Sequence, residues 1–501
     1  MGSWRGKKEV SGAMQGRSFY TESLKIVGLL LALMVGIKLT KGGLMIGVVL
    51  AGMMAALSNR RGLALSLYLL LPFFVVINPL IVPPTVSTML SARIGGVLMI
   101  LCLVLASSRA SGSQTLPLGA LFAFFIVAVI SSTTGYFPMI SYFKIANCVI
   151  FLIGLYFGTK NINRSPADLY LLRKMFYAFS VIIIFGSLAT LPFPAVAYFT
   201  SARQALAGGT VADANELIRS TSGMTLFSGI TYHSQFLSPM TSCLIGWLLL
   251  DMIIVERRVC KLHIALLAVA PIILFMTRGR VGFVSFMVAL FMVFIYCIPR
   301  LRIPTKLKSR LHGFLVAGGI LLVIGAAVAE VRSHAMTRWL TKTDDVAADN
   351  RSFVESFTES RMGKIEIAMA ALKKNPLWGM GFQVEEDHPY LYKLGRISLF
   401  SAPVEQGVIF TAVLGETGIC GMMAFLMFIM IFASTCMRKH YYATLSLFMV
   451  YLATNLAEAT FFSPGGGGGI MWLVTVAGGF VIDLTARNME RFQARSLSFR
   501  L

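Results

Sequence analysis

Long apolar runs recur along nearly the whole chain, separated by short polar segments. The 501 residues are 56% hydrophobic and 13% charged, with a mean hydropathy of +0.76. A helix needs about 20 apolar residues to cross a ~30 Å hydrocarbon core, and fewer where neighbouring helices shelter it. The pattern predicts an all-α, polytopic integral membrane protein with about 12 to 14 transmembrane helices, because the first two runs are short. The runs lie near residues 24–40, 42–58, 63–80, 92–107, 116–133, 138–157, 175–198, 234–255, 262–277, 281–298, 313–329, 406–434, 441–457 and 470–485.

Basic residues predict the orientation, because cytoplasmic loops retain Lys and Arg. With Arg5, Lys7 and Lys8 inside, alternate loops carry further basic clusters, and both termini are predicted to be cytoplasmic. One long outer segment, 330–405, can translocate regardless of charge. The remaining basic residues on the outer side need another reason, and they are Lys38, Lys41, Arg93, Lys144, Arg203, Arg219, Arg278 and Arg280.

The net charge of +22 does not indicate nucleic-acid binding, because topology and anionic lipid already explain a cytoplasmic excess of cations. The seven cysteines fall within helices or at cytoplasmic helix ends, so no disulfide framework is predicted for the outer loops. Asp251 and Asp483 lie near cytoplasmic helix ends, where we expect them to be solvated.

The chain divides into five parts. We predict N-terminal transmembrane helices (1–198), an outer loop (199–233), central transmembrane helices (234–329), a large periplasmic loop (330–405), and C-terminal helices with a cytoplasmic tail (406–501).

An amphipathic helix is predicted in the long outer segment, from about Ser352 to Lys374, where Pro376 stops it. A turn at Trp378 to Gly381 follows this helix. Its apolar stripe would lie along the outer membrane surface. The stripe consists of Phe353, Phe357, Ile365, Met369 and Leu372.

The last outer loop, Pro464 with five glycines at 465–469, is most simply a flexible connector.

The turn Arg278-Gly279-Arg280 places two guanidinium groups on the side that the charge rule leaves poor in cations. Arg suits pyrophosphate, because its planar fork donates paired hydrogen bonds and stays charged when partly desolvated. The alternative is that each cation reaches the phosphate of a lipid headgroup. For Arg93 and Lys144, each of which stands alone in the sequence, this interpretation is as good as a functional one.

Four segments follow one another in the chain: Arg219 to Gly223, the turn from Thr277 to Arg280, Arg361 in an amphipathic helix that ends at Asn375 to Gly381, and Leu414 to Gly421. By their order and topological placement together, they resemble the O-antigen ligase and polymerase superfamily of membrane glycosyltransferases. The resemblance covers roughly Arg203 to Phe432.

The resemblance implies an integral-membrane, metal-independent glycosyltransferase in the bacterial inner membrane that uses polyprenyl-pyrophosphate glycans on the periplasmic face. By position, Arg219, Arg280 and Arg361 match the superfamily's donor-binding arginines. They would neutralise the leaving pyrophosphate, with Arg278 as a further contact. No cofactor is implied.

The acceptor hydroxyl needs a base, and here the chain departs from the family. Ligases commonly have a His-Asn pair eleven residues ahead of the glycine that aligns with Gly418, and this chain has Gly407 there. Glu405 is the nearest replacement, although it would equally cap the following helix. His233, His388 and Glu458 are alternative acceptor or base residues, with a structural histidine the simpler reading of His233.

A metal is not predicted, because the outer histidines 233, 334 and 388 show no ligand spacing. The expected partners are the polyprenyl-pyrophosphate-linked donor, a glycan or lipid acceptor, membrane lipids, and polysaccharide export or chain-length proteins. No nucleic-acid partner is expected.

Two alternatives remain open. The missing His-Asn pair favours an exopolysaccharide or O-antigen polymerase over an O-antigen ligase that attaches glycan to lipid A core. A polysaccharide or lipid transporter or flippase would also use many helices and intramembrane charges, and Lys144 is the best transport candidate. Against transport, the hydropathy shows no internal repeat, and polar residues gather on one face of the membrane.

Overall fold

The computed structural model describes residues 3–83, 85–107, 115–162, 165–198, 227–256, 260–277, 279–293, 353–384, 408–456 and 460–498. Throughout these segments the regular structure is helical, and an isolated bridge pairs Ile77 with Thr231. The predicted all-α class is therefore confirmed. The helices are α1 (Ser3–Leu39), α2 (Leu44–Leu57), α3 (Arg61–Val76), α4 (Val86–Ser107), α5 (Gly119–Thr133), α6 (Pro138–Thr159), α7 (Pro166–Ala189), α8 (Pro194–Ala197), α9 (Ser234–Leu250), α10 (Lys261–Met276), α11 (Arg280–Phe291), α12 (Phe353–Lys374), α13 (Ile409–Arg438), α14 (Tyr442–Thr454), α15 (Gly467–Trp472) and α16 (Gly478–Ser498). A π-helical turn, Asp251–Glu256, extends α9, and another, Leu473–Ala477, joins α15 to α16.

Five helical segments of the described chain are long and apolar enough to cross a membrane, and seven shorter apolar helices accompany them. The predicted count of 12 to 14 spans therefore stays a prediction, and the apolar run 313–329 lies outside the described residues. The five long segments are Pro138–Thr159, Pro166–Ala189, Ser234–Glu256, Ile409–Arg438 and Gly467–Arg491.

The helix α9 forms the centre of the bundle. Its most apolar window is 94% buried, and it packs against α7, α10, α11 and α14. An apolar helix without a polar face is expected in such a core position. In contrast, the corresponding window of α13 is only 28% buried, which leaves most of that helix for lipid.

The two aspartates predicted to be solvated are buried instead. Asp251 accepts two hydrogen bonds from Arg173, at 2.6 and 2.8 Å, and Arg173 also pairs with Glu256. Arg173 lies on α7, and both carboxylates lie on the π-helical extension of α9. Because these segments are far apart in the sequence, no local pattern predicts the pairing. A carboxylate at a helix end stays buried only when it is paired in this way.

Asp483 on α16 caps a different helix, α14. Its carboxylate accepts hydrogen bonds from the backbone N–H groups of Ala443 and Thr444, at 3.0 and 2.9 Å, and from the Thr444 hydroxyl at 2.7 Å. These N–H groups are among those that a helix start leaves without an intrahelical partner, and the negative charge also suits the helix dipole.

The glycine run 465–469 is close-packed at its C-terminal half, so the prediction of a flexible connector was wrong. Gly467 to Gly469 begin α15 and are buried. Any side chain there would collide, at Gly467 with the Phe236 ring and at Gly468 with the Thr460 carbonyl. The glycines are needed because backbone packs directly on backbone and ring.

The Asp483 cap generates a stability prediction. Replacing Asp483 by Ala removes the three hydrogen bonds that hold the start of α14, and losing a capping carboxylate costs about 1 to 2 kcal/mol. We expect a lower midpoint of chemical unfolding in detergent, followed by tryptophan fluorescence. Thr485→Ala is the control, because the Thr485 hydroxyl bonds within its own helix, to the Val481 carbonyl at 2.7 Å. Equal midpoints for the two variants would contradict the capping role.

Candidate functional site

The structure describes the predicted site residues to different extents. Arg219, Arg278, His388, Glu405 and Glu458 lie outside the described residues. For Arg280 and Arg361 it gives the backbone position in a helix, and His233 is described together with its side chain.

Arg280 is the first residue of α11, and the turn before it is held against α9. The Ser238 hydroxyl donates to the Gly279 carbonyl at 3.1 Å, and the Ser242 hydroxyl donates to the Gly282 carbonyl at 2.6 Å. A side chain on Gly279 or Gly282 would collide with Ser238. The two glycines therefore let the start of α11 approach α9 closely, which fixes the backbone from which Arg280 extends.

His233 lies at the start of α9, on the same helix as Ser238. Its Nδ1 atom accepts a hydrogen bond from the Gln235 backbone N–H at 3.1 Å, so the side chain caps the helix. The neutral ring then carries its proton on Nε2. This contact supports the structural reading of His233, while a role with the acceptor stays a prediction. Ser238 is five residues further on, about 7 Å along the helix axis.

The glycine-rich turn after α12 is bonded to a break in α13. Gly418, within α13, has a non-helical conformation with φ 66° and ψ −166°. The Met380 and Gly381 N–H groups donate to the Gly415 and Glu416 carbonyls at 3.0 and 2.9 Å. In return, the Ile419 and Cys420 N–H groups donate to the Pro376 and Leu377 carbonyls at 2.9 and 3.3 Å. The turn thus satisfies backbone groups that the broken helix cannot satisfy itself.

This junction, which we call the α12–α13 junction (residues 375–384 and 415–421), leaves no room for side chains at its glycines. Gly379 has φ 69°, and a Cβ there would lie 2.5 Å from the Gly415 carbonyl oxygen. A Cβ on Gly418 would collide with the Leu377 carbonyl, and one on Gly415 would lie 2.8 Å from the Ala368 Cα atom of α12. The sequence showed both glycine-rich segments but not that they pair with each other.

The helix α5 holds the junction from the other side. The Ser131 hydroxyl contacts the Trp378 carbonyl and, at 2.9 Å, the Glu416 carbonyl. The Ser132 hydroxyl accepts from the Phe382 N–H at 3.3 Å. Phe382 is fully buried among the rings of Phe124, Phe125 and Phe462. The turn predicted at Trp378 to Gly381 is therefore held inside the bundle.

The predicted amphipathic helix is present as α12, but a different face of it is buried. Ala368 and Ala371 are buried, whereas Met369 of the predicted stripe is 42% exposed. Small residues face the bundle because α12 must approach Gly415 closely. Arg361 lies seven residues before Ala368, about two helical turns, so its backbone belongs to an element that the junction fixes in place.

A buried charged group lies beside this junction. Lys144 of α6 is 2% exposed, and it is close enough to Arg93 of α4 and Glu416 of α13 to interact with both electrostatically. The sequence marked Arg93 and Lys144 as anomalies of topology and did not connect them with Glu416. An electrostatic interaction between elements far apart in sequence leaves no local pattern.

The described residues contain no group of three or more His, Cys, Asp or Glu that could hold a metal ion. The six described cysteines, 102, 148, 243, 260, 420 and 436, are not in disulfides.

The strain at Gly418 generates a prediction. In Gly418→Ala, the methyl group would meet the Leu377 carbonyl, and the backbone would need a left-handed φ that Ala rarely adopts. We expect a loss of folded, monodisperse protein in detergent chromatography, or a free energy of unfolding lower by more than about 1 kcal/mol. The control is Gly363→Ala in α12, because no neighbouring atom of the described residues comes within 4 Å of the place that its methyl group would take. A well-folded Gly418→Ala protein of unchanged stability would refute this account of the junction.

Comparison with known proteins adds the family. Residues 263–426 match the family model described as O-antigen ligase. The matched range includes Arg280, α12 with Arg361, and the α12–α13 junction up to Gly421. No curated protein matches the chain. The match, which covers about a third of the chain, confirms the resemblance to the O-antigen ligase and polymerase family seen in the sequence.

Proposed function

We propose that the protein is a membrane glycosyltransferase that transfers or polymerises glycan from a polyprenyl-pyrophosphate donor on the periplasmic face of the bacterial inner membrane. One observation carries the proposal. The family-matched segment contains both Arg280, at a helix start held against α9, and Arg361, on a helix locked to α13. Two arginines on fixed elements are what recognition of a pyrophosphate requires.

In the proposed reaction the acceptor hydroxyl attacks C1 of the donor sugar. The new bond joins the acceptor oxygen to C1, the bond from C1 to the pyrophosphate oxygen breaks, and the lipid pyrophosphate leaves with the bonding electrons. Arg219, Arg280 and Arg361 stabilise the charge that develops on it, with Arg278 as an additional contact. The reaction needs no metal in this proposal, because the arginines supply the positive charge.

The proton of the acceptor hydroxyl goes to a base, which we propose to be Glu405. It precedes α13 by four residues, next to the helix that forms the junction. His233, His388 and Glu458 are the alternatives. Of these, His233 uses its Nδ1 atom to cap α9, so it would have to leave the cap or act through Nε2.

Among the two enzyme types, we propose a polymerase of exopolysaccharide or O-antigen repeats, because Gly407 occupies the place of the histidine that ligases commonly have. The second candidate is an O-antigen ligase that attaches glycan to lipid A core. The description of the matching family favours that candidate. Both use the same donor chemistry and differ in the acceptor.

Replacing each arginine by Lys tests the donor site. Lys keeps the charge but loses the paired hydrogen bonds, so Arg219→Lys, Arg280→Lys and Arg361→Lys should each lower the transfer rate by about 10²-fold to 10³-fold. The assay follows glycan chain length in membranes, with and without EDTA. Arg203→Lys, in the same outer loop as Arg219, is the matched control. Full activity in all three variants would refute the donor site, and inhibition by EDTA that a divalent ion reverses would refute metal independence.

A deletion strain separates the two enzyme types. For a polymerase we expect loss of long polymer while single repeats remain, because the donor unit is still made and only its extension is missing. For a ligase, polymer would accumulate without attachment to lipid A core. Gel electrophoresis of the surface glycan distinguishes the two, and complementation with the intact chain is the control.

A further inference from the structure

A crevice lies between α3, α4 and α6, and the loop at Pro464 and Gly465 closes one side of it. Arg93, Asn147 and the Tyr68 hydroxyl supply its polar groups, and Leu71, Ile100, Ile150 and Phe151 are among its apolar residues.

The polar and apolar parts lie at different depths. Arg93 lies seven residues after the start of α4 at Val86, about 10 Å along the axis from the end that is predicted to face outward. Ile100 lies seven residues further along the same helix, about 10 Å deeper. On α6, Phe151 is likewise four residues, about 6 Å, beyond Asn147. Apart from Tyr68, whose ring lies against Phe151, the lining therefore becomes apolar as the crevice runs into the bundle.

A second cation lies beside the polar part. Lys144 precedes Asn147 by three residues on α6, so the two lie on the same side of that helix. Lys144 is buried and interacts electrostatically with Arg93. Arg93 is a cation here, and an anion bound beside Lys144 would favour the protonated form of this buried amine, so the two groups together suit an anion.

Glu416 is the counter-charge that the described residues place near Lys144, and it belongs to the α12–α13 junction. A purely structural role for Lys144 would end with this electrostatic interaction. It does not explain why Arg93 and Asn147 line a crevice whose deeper wall is apolar. An amphiphile with an anionic head and a hydrocarbon tail matches both parts.

We propose that this crevice binds a phosphate-headed membrane lipid. Arg93 and Asn147 donate hydrogen bonds to the phosphate, Lys144 adds positive potential, and the hydrocarbon chain lies along Leu71, Ile100 and Phe151. None of these residues belongs to the proposed donor arginines, and lipid binding does not depend on the proposed transfer reaction.

Lipid binding to the purified protein in detergent tests the proposal, with native mass spectrometry measuring the bound fraction. The probes are a polyprenyl monophosphate, phosphatidylglycerol, an uncharged polyprenol and inorganic phosphate. Asn147→Asp places a carboxylate of the same size next to the phosphate, and Arg93→Gln removes the guanidinium. We expect both to weaken binding of the polyprenyl monophosphate at least tenfold. Arg93→Lys, which keeps the charge, should weaken it less.

Lys38→Gln is the matched control, because Lys38 is exposed at the same end of the bundle and donates to the Leu80 carbonyl. It should bind as the unmodified protein does. Thermal unfolding without added lipid shows which variants are folded. If Arg93→Gln is not folded, Arg93→Lys replaces it as the test of this residue.

The probes separate the outcomes. Stronger binding of the polyprenyl monophosphate than of phosphatidylglycerol supports a polyprenyl lipid, and equal binding of both, lost in the variants, supports a membrane phospholipid. Equal binding of uncharged polyprenol would overturn the phosphate contact. Binding of inorganic phosphate alone would overturn the lipid, and unchanged binding in Asn147→Asp and Arg93→Lys would overturn the site.

Discussion

Backbone hydrogen bonds cannot be left unmade inside a membrane bundle, and the α12–α13 junction depends on this constraint. At Gly418 the helix α13 breaks, which leaves carbonyl and N–H groups without their intrahelical partners. The turn at 376–381 supplies four of these partners, between 2.9 and 3.3 Å. The turn thus makes hydrogen bonds to α13 of the kind that residues of a helix make to one another. It does so although it lies more than 25 residues before the start of α13 in the chain. The break and the turn require each other.

This exchange of hydrogen bonds determines where α12 can lie. The turn leads directly out of α12, and the contact between Ala368 and Gly415 fixes the last turns of that helix against α13. On the far side, Ser131 of α5 bonds both partners of the exchange, so three elements share one set of contacts. The same junction carries Glu416, which links it electrostatically to Lys144. The proposed anion site beside α6 and the position of α12 would therefore both involve the same short stretch of α13.

The sequence predicts the helices well and the contacts between them poorly. Hydrophobic periodicity predicts α12, and Pro376 predicts its end at Lys374, because helix formation and its termination are local. The prediction that Asp251 and Asp483 are solvated is wrong, because their partners Arg173, Ala443 and Thr444 lie on other helices. The prediction of a connector at 465–469 is wrong for the same reason. A glycine-rich segment is flexible where no other element packs against it, and it is rigid where another element packs closely on its backbone. Only the fold shows which of the two applies.

Glycine has a further role in how the predicted outer end is built. Close contacts at Gly279 and Gly282, at Gly415 and Gly418, and at Gly467 to Gly469 all replace side-chain packing by direct backbone approach. Backbone contacts of this kind have few alternative geometries, because a glycine has no rotamer to change. Residues next to such glycines therefore have a well-defined backbone position. A binding group that is held within a fraction of an ångström loses less entropy when its ligand binds. The close contacts at Gly279, Gly282 and Gly415 thus fix the backbone of the two helices, α11 and α12, that carry Arg280 and Arg361.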